Sequence, residues 1–349
     1  MLLALHQLFP QAPLFTSVYN REKAPWAKVF EVKTSFLQKF PKAQTSHELY
    51  APLMPLAFEN FDFDDYDLVI SVTSEAAKGV ITKPTTRHIC YCLTPTRYLW
   101  SGYKDYFKSP LFKLLTKPLV SYLRSWDKIA AQRPDDYIAI STEVQDRIKR
   151  YYGRDSEVIY PPLMMDAHDS RSERGSPQTA KNEATEDYFL IVSRLTNFYK
   201  RVDIAIKACN ELQLSLKIVG SGLDKKNLMK MAGPTVEFLG NLTDDNLAIY
   251  YKKCKALIFP AREDFGLAMV EAQTFGRPVI AFRGGGALDI IKEGITGEFF
   301  DAQTVDSLKG VLKSFRENRY NTQLCRENAE RFTFARFERD FKKFLNKRI

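Results

Sequence analysis

The strongest constraint on the fold is a rhythm of short apolar runs, rich in β-branched residues, that alternate with longer helical patterns. DLVISVTS (67–74), HICYCL (88–93), DYIAIST (136–142) and EVIY (157–160) read as buried strands. A second set follows: YFLIVSRL (188–195), LSLKIVG (214–220), VEFLG (236–240), ALIFPA (256–261) and PVIAF (278–282). Helices such as KRVDIAIKACNEL (200–212) and DDNLAIYYKKC (244–254) lie between them. Strand, helix, strand in this order predicts parallel sheets with helices on both faces. A chain of 349 residues is too long for one compact core, so two doubly wound domains are expected. Such sheets bind ligands beyond the carboxyl ends of their strands, and two of them facing each other would enclose a cleft.

The polar segment 166–187, DAHDSRSERGSPQTAKNEATED, has no aromatic residue and reads as the linker. The expected organisation is an N-terminal domain (1–165), this linker, a second domain (188–330) and a closing helix (331–349). That closing stretch carries Phe332, Phe334, Phe337 and Phe341 at helical spacing, as an amphipathic helix seeking a groove would. No run of about 18 apolar residues exists to span a membrane. The opening MLLALHQLFPQAP lacks the basic region of a secretory signal. The five cysteines are scattered without metal-ligand spacing, and read as reduced core residues of a cytoplasmic protein. The net charge of +9 favours anionic partners. No zinc-finger, basic-heptad or RNP pattern accompanies it, so nucleic acid is not expected. A phosphorylated substrate or an anionic membrane surface fits.

Candidate chemistry concentrates at the ends of the second strand set. In FPAREDFGLAMVEAQTFG (259–276), Glu263 falls in a turn and Glu271 about two helical turns later. The amides of Phe265, Gly266 and Leu267 are then unpaired donors at a helix N-terminus, a ready anion site. Carboxylates beside an anion site suit sugar hydroxyls; a helix cap and a solvated glutamate are the plain alternative. In SRLTNFYKRVD (193–203), Arg194 and Lys200 sit on a strand-to-helix turn, where two cations form a metal-free pyrophosphate clamp or an ordinary surface pair. Gly220 and Gly222 in VGSG offer close backbone approach, and RGGGALD (283–289) is glycine-dense at the corresponding strand end.

Taken in order, SRL…KR…GSG…VEFLG…FPAREDFG-x4-E…GRPVIA…GGGALD…GITGEFF resembles the nucleotide-sugar-binding domain of family 4 glycosyltransferases with the GT-B fold. SEAAKGV (74–80), HICYCLTPTRYLW (88–100) and STEVQDRIKRYYGRDSEVIYPP (141–162) resemble the bacterial mannosyltransferase subgroup of O-antigen and exopolysaccharide assembly. The resemblance implies an α/β GT-B fold of two Rossmann-like domains, with a C-terminal helix crossing back to the first. It implies a retaining hexosyltransferase moving mannose from GDP-mannose to a polysaccharide or polyprenyl-linked acceptor, with no metal or other cofactor. Arg194 and Lys200 would hold the diphosphate, and Glu271 the ribose hydroxyls. Glu263 would hold the hexose, aided by the Phe265–Gly266–Leu267 backbone. Gly220 and Gly222 would line the donor site, and the base would lie near Gly240 to Leu242. Another donor such as UDP-glucose stays open, as does an impaired homologue that only binds nucleotide.

Two departures bear on that last alternative. Leu93 stands where the family carries a histidine that reaches the donor sugar, and His88, five residues earlier, reads as a strand-start histidine instead. Met1 falls inside the family's first helix, so a strand and a Gly-rich turn of roughly 15 to 20 residues are expected to be missing ahead of it. The stretch 103–128, which mixes Phe and Leu with Lys and Arg, reads either as a segment lying on the inner face of an anionic membrane or as a core-facing helical pair.

Overall fold

The computed structural model describes residues 1–107, 109–164 and 185–348, so most of the expected linker (166–187) lies outside the described residues. The chain forms two compact units, Met1–Pro161 with Phe337–Ile349, and Pro162–Arg336.

Unit 1 holds two parallel sheets. A short pair joins β1 (Leu14–Thr16) to β2 (Val32–Thr34). The larger sheet runs β3 (Leu68–Thr73), β4 (Arg87–Cys92), β5 (Asp136–Ala139), β6 (Glu157–Val158) in sequence order. β4 is buried almost throughout, as its continuous apolar run HICYC requires. His88 is fully buried there, with Nε2 2.9 Å from Ser71 Oγ on β3. Burial lowers its pKa to about 4. All five cysteines are buried thiols.

A buried ion pair locks the 75–79 turn to the long helix Pro110–Ala130. Lys78 Nζ lies 2.5 Å from Asp127 Oδ1, and both side chains are almost wholly inaccessible. Thr96 Oγ1 and Trp100 Nε1 donate to the same carboxylate at 2.8 and 2.7 Å. With three donors the charge of Asp127 is matched, so the pair is tolerated in the interior. Lys78 of the SEAAKGV motif therefore serves the fold.

The terminal helix, Phe334–Asn346, buries Phe337, Phe341 and Phe344 in unit 1, against Tyr91 (6.3 Å from Phe337) and Phe9 (6.4 Å from Phe341). Phe332, expected on that helix, instead lies in the preceding 3-10 turn and packs on Phe265 of unit 2 at 5.6 Å. The returning segment therefore starts at Phe337, beyond the expected boundary at 331.

Unit 2 is a six-stranded parallel sheet in the order β12-β11-β10-β7-β8-β9. Its strands are β7 (Phe189–Val192), β8 (Leu216–Val219), β9 (Val236–Gly240), β10 (Ala256–Phe259), β11 (Val279–Phe282) and β12 (Gly297–Phe300). Helix Val202–Leu212 buries Val202, Ile204, Ala205, Ile206, Ala208 and Cys209 in the main core with β7, β8 and β10. The chain lays β8 and β9 on one side of β7, then returns to place β10, β11 and β12 on the other. The order thus reverses between β7 and β10, which is where an open parallel sheet binds its ligand.

Candidate active site

The turns after β7 and β10 meet at that reversal. Lys200, in the short helix Asn197–Lys200, forms an ion pair with Glu263 Oε1 in the turn after β10; the contact is ionic rather than a hydrogen bond of regular geometry. Both side chains are largely buried, at 15% and 20% exposure, so the pair is poorly screened. The sequence assigned these residues to different parts of a donor, and the structure brings them into contact. Arg194, two residues past β7, is exposed, and its guanidinium makes no hydrogen bond or ion pair among the described residues. Thr196, between the two cations, has a buried hydroxyl without a partner among the described residues. It was not singled out from the sequence, where a threonine in a turn gives no signal.

Gly266, at φ +105, starts helix Leu267–Thr274, and no side chain caps that end. Glu263 is accordingly no helix cap. The amides of Gly266 and Leu267 donate to no group among the described residues, whereas Phe265 is buried and fixed by its ring contact with Phe332. Glu271, on the same helix, turns inward and accepts a hydrogen bond from Tyr251 Oη at 2.7 Å. Burial, the dominant influence, raises the Glu271 pKa above the usual carboxylate range, and the Tyr251 bond opposes it. Tyr251 is itself fully buried and stacks on Phe275 at 5.6 Å and 12°. In the sequence it is one of two adjacent tyrosines in DDNLAIYYKKC, and helical spacing alone does not say which of the pair turns inward.

The glycines make the close backbone approach expected of them, between one turn and the next. A Cβ at Gly220 or Gly222 would strike the carbonyl oxygens of Ser193 and Leu195, so these two residues let the turn after β8 lie directly on the turn after β7. Leu195 N donates to Ser221 O at 2.8 Å across that contact. Gly285 does the same for the turn after β10: at φ +65, a Cβ there would strike the Glu263 carbonyl, and Gly286 N donates to that carbonyl at 2.9 Å. Backbone thus holds the arginine–lysine turn from one side and the Glu263 turn from the other. Gly240 ends β9 at φ +75, with its carbonyl accepting from Gly220 N at 2.7 Å, and Leu242 is half-buried just beyond.

In unit 1, Leu93 follows β4, half-buried, with its amide on Thr73 O at 2.8 Å. His88 points into the sheet toward Ser71 and cannot stand in for a histidine at position 93.

Two parallel α/β units, one of them returning through a C-terminal helix, constitute the GT-B fold. HepE of Anabaena, in complex with UDP and glucose, superposes with a TM-score of 0.64 over 99% of this chain and 94% of its own, at 17% identity. Residues 174–332 match the family model for glycosyl transferases group 1. O-antigen chain mannosyltransferase C of Escherichia coli is 26% identical over 68% of this chain and 63% of its own length. A GDP-mannose-dependent alpha-mannosyltransferase of Corynebacterium glutamicum is 38% identical over 32% of this chain and 27% of its own. The chain thus matches less than two thirds of the length of either relative.

Proposed function

We propose that the chain is a retaining hexosyltransferase that moves mannose from GDP-mannose to a glycan or polyprenyl-linked acceptor without a metal ion. The observation that carries the reading is the Lys200–Glu263 pair at the point where the strand order reverses. A cation and a hydroxyl-binding carboxylate side by side match a ligand whose diphosphate adjoins a hexose. Lys200 and Arg194 would neutralise the charge that grows on the diphosphate as the C1–O bond breaks, and that is the largest electrostatic demand of the reaction. The bonding pair leaves with GDP. The acceptor oxygen attacks C1 from the face GDP vacates, and its proton passes to the departing diphosphate. Glu263, with the free amides of Gly266 and Leu267, would hold hexose hydroxyls, and Glu271, steadied by Tyr251, the ribose.

The mannosyltransferase relatives favour mannose and guanine. The chain's likeness to HepE favours UDP-glucose as the rival donor. Calorimetry with GDP and UDP, each with and without chelator, separates the two donors. GDP should bind more tightly, with no change on chelation, and Arg194→Ala should weaken GDP more than guanosine. A strict magnesium requirement, or a preference for UDP, would overturn this reading. Incubation with GDP-mannose and a polyprenyl-linked acceptor, followed by assignment of the product anomer, tests the transfer itself.

A further inference from the structure

Lys225 is a cation that neither the packing of unit 2 nor the Arg194–Lys200 turn accounts for. It opens helix Lys225–Met231, directly after the turn that follows β8, and is half-buried. Its ammonium makes no hydrogen bond or ion pair among the described residues. Backbone fixes where this lysine stands. Gly220 N donates to Gly240 O at 2.7 Å, tying the turn after β8 to the end of β9. Asp224 N donates to Leu195 O at 3.0 Å, tying the same segment to the turn after β7. From there the side chain reaches across to β9. The ammonium lies 4.0 Å from where a Cβ of Gly240 would stand, and among the described residues nothing else beyond the chain neighbours comes as close. Gly240, at φ +75, thus presents a bare backbone face with one cation at its edge.

We infer that Lys225 is a specificity-determining residue of the nucleotide site, donating to O6 and N7 of a guanine laid against Gly240. The inference rests on the reading of unit 2 as a nucleotide-sugar site and names what selects the base. Position comes first. Neighbouring strands lie about 4.8 Å apart, so β9, two places from β7, stands roughly 10 Å from the turn that carries Arg194 and Lys200. A group there is beyond a diphosphate held by those two cations and within reach of the base. Chemistry then narrows the choice. A lysine ammonium has donors and no acceptor. Guanine offers two adjacent acceptors, O6 and N7, on one edge, whereas adenine sets its N6 donor where O6 would be. Uracil is a single ring and brings only O4 to that edge. The lysine therefore favours guanine over either, which gives a preference for GDP a physical cause.

Calorimetry with GDP, IDP, ADP and UDP on the parent, Lys225→Met and Lys225→Arg tests it. IDP keeps O6 and N7 and lacks only the 2-amino group, while ADP carries the same ribose and diphosphate as GDP. Lys225→Met should weaken GDP and IDP about tenfold and leave ADP unchanged. Lys225→Arg, which keeps the donors, should restore the preference for GDP over ADP. Unchanged ADP binding and a melting temperature equal to the parent's separate lost recognition from misfolding. An equal loss of GDP and ADP would place Lys225 on the phosphates and overturn the inference. So would GDP affinity that survives Lys225→Met in a protein that prefers GDP, and that result leaves the donor reading standing. A parent that binds UDP more tightly than GDP overturns the donor reading itself, and the guanine assignment with it.

Discussion

Tyr251→Phe isolates the contact that steadies Glu271. The substitution keeps the ring, which is fully buried and stacked on Phe275, and removes only the hydroxyl 2.7 Å from the Glu271 carboxylate. No cavity opens, so the cost is that of a charge-assisted hydrogen bond, about 1.5–3 kcal/mol. Part of this is lost stability. For a unit of this size, each kcal/mol lowers the melting temperature by about 2–4 °C. The remainder is lost positioning, because a carboxylate free to rotate no longer meets the ribose at a fixed angle. GDP affinity should therefore fall about tenfold or more, while 2′,3′-dideoxy-GDP, which has no ribose hydroxyls to offer, should hardly change. The pH dependence adds a second check. The Glu271 pKa is already raised by burial and Tyr251 opposes that rise, so losing the hydroxyl should raise it further. The stability gap between parent and variant should then close as pH falls and Glu271 takes up a proton. Titration calorimetry with both nucleotides, and melting curves from pH 7 down to pH 4, give the readouts. An equal loss for both nucleotides, or a lower melting temperature with GDP affinity intact, would refute the assignment of Glu271 to the ribose.

Glu263→Gln should leave GDP affinity unchanged or tighter, since Lys200 is released to the diphosphate, while kcat for sugar transfer falls; steady-state kinetics beside calorimetry would resolve the two. Gly285→Ala forces a side chain into the left-handed region and against the Glu263 carbonyl, at a cost of about 1–3 kcal/mol, and should lower transfer more than nucleotide binding. The lowered pKa of His88, about 4 against an ordinary 6.5, means that the unfolded chain takes up a proton there before the folded chain does. The contribution of neutral His88 is fully present above pH 6.5 and is lost as pH falls toward 4, about 3 kcal/mol in all. Urea unfolding of the parent and His88→Gln at pH 7, 5.5 and 4 should show the parent losing more stability by that amount.

Nine strands and the principal helices are legible because each carries a periodic or continuous apolar signal. The pair β1 and β2 escapes notice, since three-residue strands that are only partly buried leave no pattern to read. β12 lies within GITGEFF, whose short apolar end gives no strand pattern of its own. At the site, residue types and spacing point to Arg194, Lys200, Glu263 and Glu271. What spacing does not convey is the contact between Lys200 and Glu263, which depends on β7 and β10 becoming neighbours although two strands separate them in sequence. The glycines are legible only in part: a residue without Cβ signals close approach but not by what, and the Cβ positions of Gly220 and Gly222 are closed by the neighbouring turn's backbone. Phe332 fits a helical count that the chain breaks at Thr333, whose extended backbone (φ -75, ψ 158) interrupts the helix.

The helix Phe334–Asn346 gives unit 1 a core assembled from two segments far apart in the sequence. Phe341 faces Phe9, and Phe337 faces Tyr91, across more than three hundred and two hundred residues of sequence respectively. Unit 2 is continuous from Pro162 to Arg336 and has all its strands once its own stretch has been made. During synthesis, then, the second unit can close while the first still waits with an open apolar groove for Phe337, Phe341 and Phe344. Folding order runs against chain order, and a helix made only after the whole of unit 2 is the one that seals the earlier-made unit.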